Sequence, residues 1–342
     1  VDYDGTASSL LVEPQRTNLV TYSEDFSNSY WSTALSTISS NSIISPDGTL
    51  NASLFETTGA SGYMYPLISI LSSAANKTFT YSIYAKAGNT SSFTILVAGA
   101  SVYSGIFNLT SVNAITSSAN TTVSISNEGN GWYRCSLTAS LVASSAYSEL
   151  QIGRLSINNN IYFWGAQLEE GSYATSIIPT SGSTVTRVQD QYSKTGISNL
   201  INSEEGVLFV EMAALSDDGT ARYLSISDNS FTNRVSIFLS SSANQIGGRI
   251  AVGGSSVFLT ATGQTQVNNN KIAIKWKLND YALWINGVEA AINVSGGTFP
   301  ASTLNKISFN DGGSGVAYMY AKIKQLQIFE TALTDSELAT LT

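Results

Sequence analysis

Phe79-Thr80-Tyr81-Ser82-Ile83-Tyr84-Ala85-Lys86 alternates in strict period two. Phe79, Tyr81, Ile83 and Ala85 fall on one face of an extended chain, and Thr80, Ser82, Tyr84 and Lys86 on the other. Lys271 to Leu278 repeats the pattern, with Ile272, Ile274, Trp276 and Leu278 predicted to face inward. Working outward, the same reading predicts strands at Tyr81–Lys86, Phe93–Val97, Arg134–Leu141, Leu150–Ile157 and Ile161–Leu168, then at Val207–Met212, Arg234–Leu239, Arg249–Val252, Tyr281–Asn286 and Lys306–Phe309. Gly, Asn, Asp and Ser clusters at short spacing separate them, as in sandwiches and barrels. Asn286-Gly287 is the strongest hairpin signal, because both residues tolerate the positive φ of a type I′ turn. In Tyr318–Phe329 the alternation changes phase, which predicts a bulge near Lys324-Gln325. One helix is persuasive: Thr334-Asp335-Ser336-Glu337 is a capping box ahead of Leu338 and Leu341.

The fold class is therefore all-β: two β-sandwich (jelly-roll) domains in tandem, with a short C-terminal helix. A length of 342 residues suits two cores. The apolar pattern is weakest over 180–203. The expected division is an N-terminal arm over 1–20, a first sandwich over 21–180, a linker over 181–203 and a second sandwich over 204–342.

Charged residues are 12% of the chain, about half the usual ~25% share. Ser, Thr, Asn and Gly fill the gap, which suits an extracellular or particle surface. A net charge of −8 without a basic run argues against nucleic acid. No apolar stretch approaches the ~20 residues that span a bilayer, so membrane insertion is not expected. The opening Val1-Asp2-Tyr3-Asp4 has neither a start Met nor a signal-peptide pattern and is read as the start of a fragment or processed product. With no histidine, Ser-His-Asp and Cys-His sites and His-bearing zinc sites are excluded. The single cysteine, Cys135, lies in a strand-like run and is expected to be buried and inert.

Three segments carry a resemblance. They are Leu10-Leu11-Val12-Glu13-Pro14-Gln15-Arg16-Thr17-Asn18-Leu19 with Tyr22–Phe26 and Tyr30-Trp31; Gly131-Trp132-Tyr133-Arg134-Cys135; and Tyr162-Phe163-Trp164-Gly165-Ala166-Gln167-Leu168-Glu169-Glu170-Gly171 continuing to Thr180. Together they resemble a pattern of phage tail-fibre and virion surface proteins whose module is similar to carbohydrate-binding jelly rolls. Residues 204–342 resemble concanavalin A-like or laminin-G-like sandwiches, through Trp284-Ile285-Asn286-Gly287-Val288 and the ending Ile328 to Leu338. The resemblance implies a non-catalytic virion surface protein, a tail or capsid fibre, that adheres to host or environmental glycans. Surface glycans and other virion proteins are its implied partners, with a homo-oligomer such as a trimer among them. The alternatives are a carbohydrate-binding region of a secreted bacterial enzyme or adhesin, and a structural spacer in a virion.

Aromatic faces stack on the apolar face of a pyranose, so exposed rings are the candidate sugar platform. Tyr63 and Tyr65 in Gly62-Tyr63-Met64-Tyr65-Pro66, with Tyr103 and Tyr147 among Ser and Ala, are read as loop aromatics of this kind; the alternative is a sandwich edge or subunit contact. Trp132, Trp164, Trp276 and Trp284 lie in strand patterns and are read as filling the space between sheets. Asp217-Asp218-Gly219 and Asn310-Asp311-Gly312-Gly313 are candidate calcium turns, against plain Asp-Gly turn chemistry. No cofactor is required otherwise. Glycosidases need two carboxylates, but Glu169-Glu170 point apart on a strand and Glu204-Glu205 sit at the end of the linker. The chain is not expected to be an enzyme.

Overall fold

The computed structural model describes all residues except 1, 4–7, 67–76, 100, 117, 142–146 and 314, and the side chains except also those of 2, 3, 8, 98, 99 and 147–149. The chain divides into two units: Gln15–Val188, and Val1–Pro14 with Gln189–Thr342. The first is inserted in the sequence of the second, and we call them the inserted and the split unit. All paired strands named below run antiparallel.

In the inserted unit, sheet I has the strand order Asn113–Thr116, Tyr103–Asn108, Ser92–Gly99, Tyr147–Leu155, Gly62–Pro66, Trp31–Ala34. Sheet II has the order Thr121–Gly129, Trp132–Ser140, Thr78–Ala87, Asn160–Glu170, Leu50–Thr57, Ser36–Ile44. The two faces meet in one core. Phe93, Ile95, Val97, Phe107 and Ile152 come from sheet I, and Tyr81, Ile83, Cys135, Leu137 and Phe163 from sheet II. Phe93 joins the layers, with its ring 5.1 Å from that of Phe163. Cys135 is fully buried there, and burial pushes its thiol well above the ordinary value. The native protein is expected to show no reaction with a thiol reagent at mildly alkaline pH and full reaction once unfolded; fast native labelling would contradict this packing.

The split unit has sheet III, in the order Asp2–Tyr3, Ser8–Val12, Ala321–Phe329, Gly206–Ala214, Asn270–Trp276, Tyr281–Ile285, Val288–Asn293. Sheet IV has the order Ser193–Thr195, Lys306–Ser308, Arg222–Ser227, Arg234–Leu239, Gln245–Val252, Ser255–Thr262. Leu208, Val210, Ile272 and Ile274 of sheet III pack with Leu224, Ile226, Val235 and Ile237 of sheet IV. Asn286 and Gly287 take φ of 52° and 83°, as the hairpin requires. Glu211 pairs with Gln325 and Met212 with Ile323, so Lys324 is the extra residue of the expected bulge. Helix Asp335–Leu341 carries the full capping box, with Thr334 and Glu337 satisfying each other's backbone amides.

The all-β class, the two sandwiches and the terminal helix agree with the sequence reading. Their succession along the chain differs. The segment read as an arm over 1–20 is divided: Ser8–Val12 pairs with Ala321–Phe329 in sheet III, whereas Arg16–Asn18 pairs with Val185–Arg187 in the inserted unit. Residues read as linker include Ser193–Thr195, which is the edge of sheet IV. Leu278, expected inside, is 58% exposed because the strand stops at Trp276 and a turn follows.

Three of the four strand tryptophans differ from expectation in a second way. Trp276 fills the inter-sheet core of the split unit. Trp132 and Trp164 are buried on the outer face of sheet II, in a cluster with Ala52 and Tyr84. Trp284 lies with Val207, Phe209 and Leu338 on the outer face of sheet III, under the helix. All four are structural, but Trp132, Trp164 and Trp284 each seal a sheet from outside.

The first and third of the familiar segments converge on one buried polar network. Asn18 is fully buried and donates from Nδ2 to the carbonyls of Ala166 (3.2 Å) and Ile178 (2.9 Å). Its Oδ1 accepts from the amides of Val20 and Leu168, each at 3.1 Å. Gln167, also fully buried, donates to the carbonyls of Thr175 and Ser176 and accepts from the Ile178 amide. Buried Glu169 accepts from the Thr175 amide at 3.0 Å and from its hydroxyl. These side chains fasten the segment 172–180 to the sandwich, so folding accounts for Asn18, Gln167 and Glu169 of the motif.

Candidate functional site

Gly62–Pro66 is a strand, not the loop expected. Met64 is buried in the core, so its neighbours Tyr63 and Tyr65 both point to the outer face of sheet I, where they are half-buried. Their ring centroids are 5.8 Å apart at 42°. Across from Tyr63 the next strand carries a bulge at Gly153 and Arg154. Gly153 has φ of 110°, and a Cβ on it would lie 2.7 Å from the Phe55 ring, so only glycine permits this bulge. Arg154, itself at φ 54°, is thereby turned outward. Its guanidinium lies 5.9 Å from the Tyr63 ring centroid and Nη1 donates to Gln151 Oε1. The result is a paired aromatic surface bordered by a guanidinium, which the buried Gln151 carboxamide holds in place. Farther along the same face lie Ile106, 43% exposed, and its cross-strand partner Ile115, 60% exposed. Sequence reading found the tyrosines but missed Gln151 and Arg154; the only local signal was a glycine interrupting a strand pattern.

Of the other expected aromatics, Tyr103 does not join this surface. Tyr103 is 4% exposed and packs between the sheets, because it sits opposite Val97 on the inward register. It presents no face to a ligand, which corrects its assignment as a loop aromatic. The side chain of Tyr147 lies outside the described residues.

The acidic turns are engaged by protein groups. Asp218 pairs with the buried Arg222 guanidinium at 2.6 Å, and Asp217 Oδ2 accepts from the Asn244 amide at 2.9 Å. Asp311, 7% exposed, accepts from the Gly313 amide at 3.3 Å, and its carbonyl accepts from Arg234 Nη1. Arg222 and Arg234 mark opposite ends of one paired strand ladder, so the two turns are not brought together. Among the described residues no group of three or more His, Cys, Asp or Glu side chains is arranged to hold a metal ion. Glu169 and Glu170 point apart as expected: the first is buried, and the second pairs with Lys77 at 2.7 Å on the surface. Among the described residues no helix is long and apolar enough to cross a membrane.

No family model matches the chain, and no curated protein matches it. Among solved structures, the CBM40 of Ruminococcus gnavus IT-sialidase bound to α2,3-sialyllactose is 15% identical, with a TM-score of 0.36 over 45% of this chain and 97% of that one. Sheep galectin-11 in complex with glycerol is 6% identical, with a TM-score of 0.29 over 42% of this chain and 99% of that one. Domains LG4-5 of the mouse laminin α1 chain are 8% identical, with a TM-score of 0.29 over 76% and 86%. At these scores no ligand, site or partner transfers, and the chain's own residues carry the functional reading.

Proposed function

We propose that the chain is a non-catalytic glycan-binding protein whose inserted unit holds a saccharide on the outer face of sheet I. The observation that carries this is the tyrosine pair, Tyr63 and Tyr65, set side by side with Arg154 and Gln151 at its border. Two adjacent rings offer an apolar surface of pyranose size, and the exposed Arg154 guanidinium, held by Gln151, supplies donors for sugar hydroxyls. A carbohydrate-rich setting also suits the low-charge, hydroxyl- and amide-rich composition. The finer context, a fibre on a virion surface, is supported by the wording of residues 10–180; a binding region of a secreted bacterial enzyme or adhesin is the competing context.

Each ring is expected to contribute on the order of 1 kcal/mol. A Tyr63→Ala, Tyr65→Ala double variant should therefore weaken a single site by roughly 10- to 30-fold. On a glycan array an oligomeric form would lose nearly all signal, since avidity multiplies each loss. Undiminished binding by a folded double variant would place the site elsewhere. The exposed Ile106 and Ile115 favour a second reading, in which this face is a contact between copies of the chain. Sedimentation separates the two: a stable oligomer that the double variant or an Ile115→Lys variant dissociates supports the contact, and a wild-type monomer supports the glycan site.

A further inference from the structure

The split unit has an aromatic and cationic surface of its own, on the outer face of sheet IV. Leu224, Ile226, Val235 and Ile237 face the core, so the residues between them face out. Tyr223 pairs with Phe238, and their rings stack at 5.2 Å and 28°. Phe238 then lies over Gly247 of the next strand, where a Cβ would sit 2.3 Å from its ring. That missing side chain lets Phe238 reach edge-on toward Phe258, 6.3 Å away and 53% exposed. Three rings thus form a line across the sheet, with Phe238 buried in the middle and Phe258 open to solvent.

Two guanidiniums lie beside this line. Arg249 is opposite Ser236, and Arg234 is opposite Ala251, so the two arginines are diagonal neighbours on one face. Arg249 is half-buried, lies 4.9 Å from the Phe258 ring centroid, and uses Nε and Nη2 on Ser256 Oγ at 3.1 and 2.8 Å. That leaves the Nη1 edge of its fork. Arg234 is 3% exposed, with Nη1 on the Asp311 carbonyl, its guanidinium 4.8 Å from the Phe231 centroid, and Nε without a protein acceptor. Desolvation lowers its pKa first, and the nearby Arg249 lowers it further, against the opposing effect of Asp311. Among the described residues neither guanidinium has a carboxylate oxygen within ion-pair distance. The acidic group nearest this pair is Asp311, 7% exposed, which acts on Arg234, and Lys306 donates from Nζ to Asn229. Two like charges held together on an acidic chain are a site for an anion.

We propose that this face is a second saccharide site, for a sugar bearing a carboxylate or a sulfate. The sugar ring stacks on Phe258 and the anion meets the free edge of Arg249, while Arg234 adds positive potential from beneath. The site goes beyond the tyrosine-pair reading and stands without it.

The test titrates the full chain with oligogalacturonate, with dextran sulfate and with neutral dextran. Binding of at least one anionic probe and not of dextran is expected; the probe that binds identifies the anion. Arg249→Gln should weaken that binding by roughly tenfold or more, and Arg249→Lys should rescue it only in part. Phe258→Ala, at an exposed position that folding tolerates, should weaken it as well. Lys77→Gln, the same change of charge in the inserted unit, and the Tyr63→Ala, Tyr65→Ala variant should leave it unchanged. Equal binding of neutral dextran, no binding of either anionic probe, equal loss in Lys77→Gln, or loss in the tyrosine variant with none in Arg249→Gln would each overturn the proposal.

Discussion

A chain starting at Gln15 is expected to unfold in two separated steps, with the split unit melting well below its position in the intact protein and the inserted unit unmoved. The reason is the pairing of Leu10, Leu11 and Val12 with Ile323, Lys322 and Ala321. Val12 is fully buried in the core of the split unit, and burying one such side chain is worth about 1.5–3 kcal/mol. Leu10 adds a partly buried contact to the same core. The Glu13 amide donates to Asp190 Oδ2 while the Asp190 amide donates to the Glu13 carbonyl, both at 2.9 Å. Losing the strand and this clamp should cost roughly 3–5 kcal/mol, or about 10 °C at ~2–4 °C per kcal/mol for a unit of this size. It also leaves Ala321–Phe329 as an open edge, so the shortened chain should associate at lower concentration. Calorimetry of both chains decides the matter. An unchanged split-unit transition would mean that Ser8–Val12 is an arm after all.

Much of this fold was legible because its signals are local. Alternation depends only on which residues are neighbours. The Asn286-Gly287 turn depends on the φ those two residues tolerate, and the bulge at Lys324 on a phase change within one strand. The capping box likewise lies within four consecutive residues. What could not be read is which strand meets which. Leu10 and Ile323 lie at opposite ends of the sequence, and nothing in Ser8–Val12 names its partner. For the same reason the insertion looked like a series. Site residues failed or succeeded on the same ground. Tyr63 and Tyr65 are two apart, so their shared face was visible although the strand was missed. Arg154 and Gln151 reach that face only through pairing at Gly153, and Arg234 and Arg249 become neighbours only through register. Tyr103 was misjudged because its direction is set by Val97 across the ladder.

The second large effect is expected at Asn18, which touches neither proposed site. Its carboxamide makes four hydrogen bonds, all to backbone groups, and it is fully buried. Asn18→Ala removes the partner of two amides and two carbonyls in a place water does not reach. Stranding a buried polar group costs about 1–3 kcal/mol. Some of the four will find substitutes as the segment 172–180 shifts, so the net cost is set at roughly 3–5 kcal/mol. The inserted unit should then melt about 10 °C lower or more. Thr186→Ala provides the contrast. It removes a 2.7 Å hydrogen bond to Thr17 on the exposed two-stranded ribbon, and such surface changes stay within about 0.5 kcal/mol. Asn18→Asp sharpens the reading: it keeps an acceptor for Val20 and Leu168, loses both donors, and buries a charge, so it should be no better than alanine. If Asn18→Ala melts with the wild type while glycan binding is lost, the motif in residues 10–180 would belong to recognition and not to the architecture.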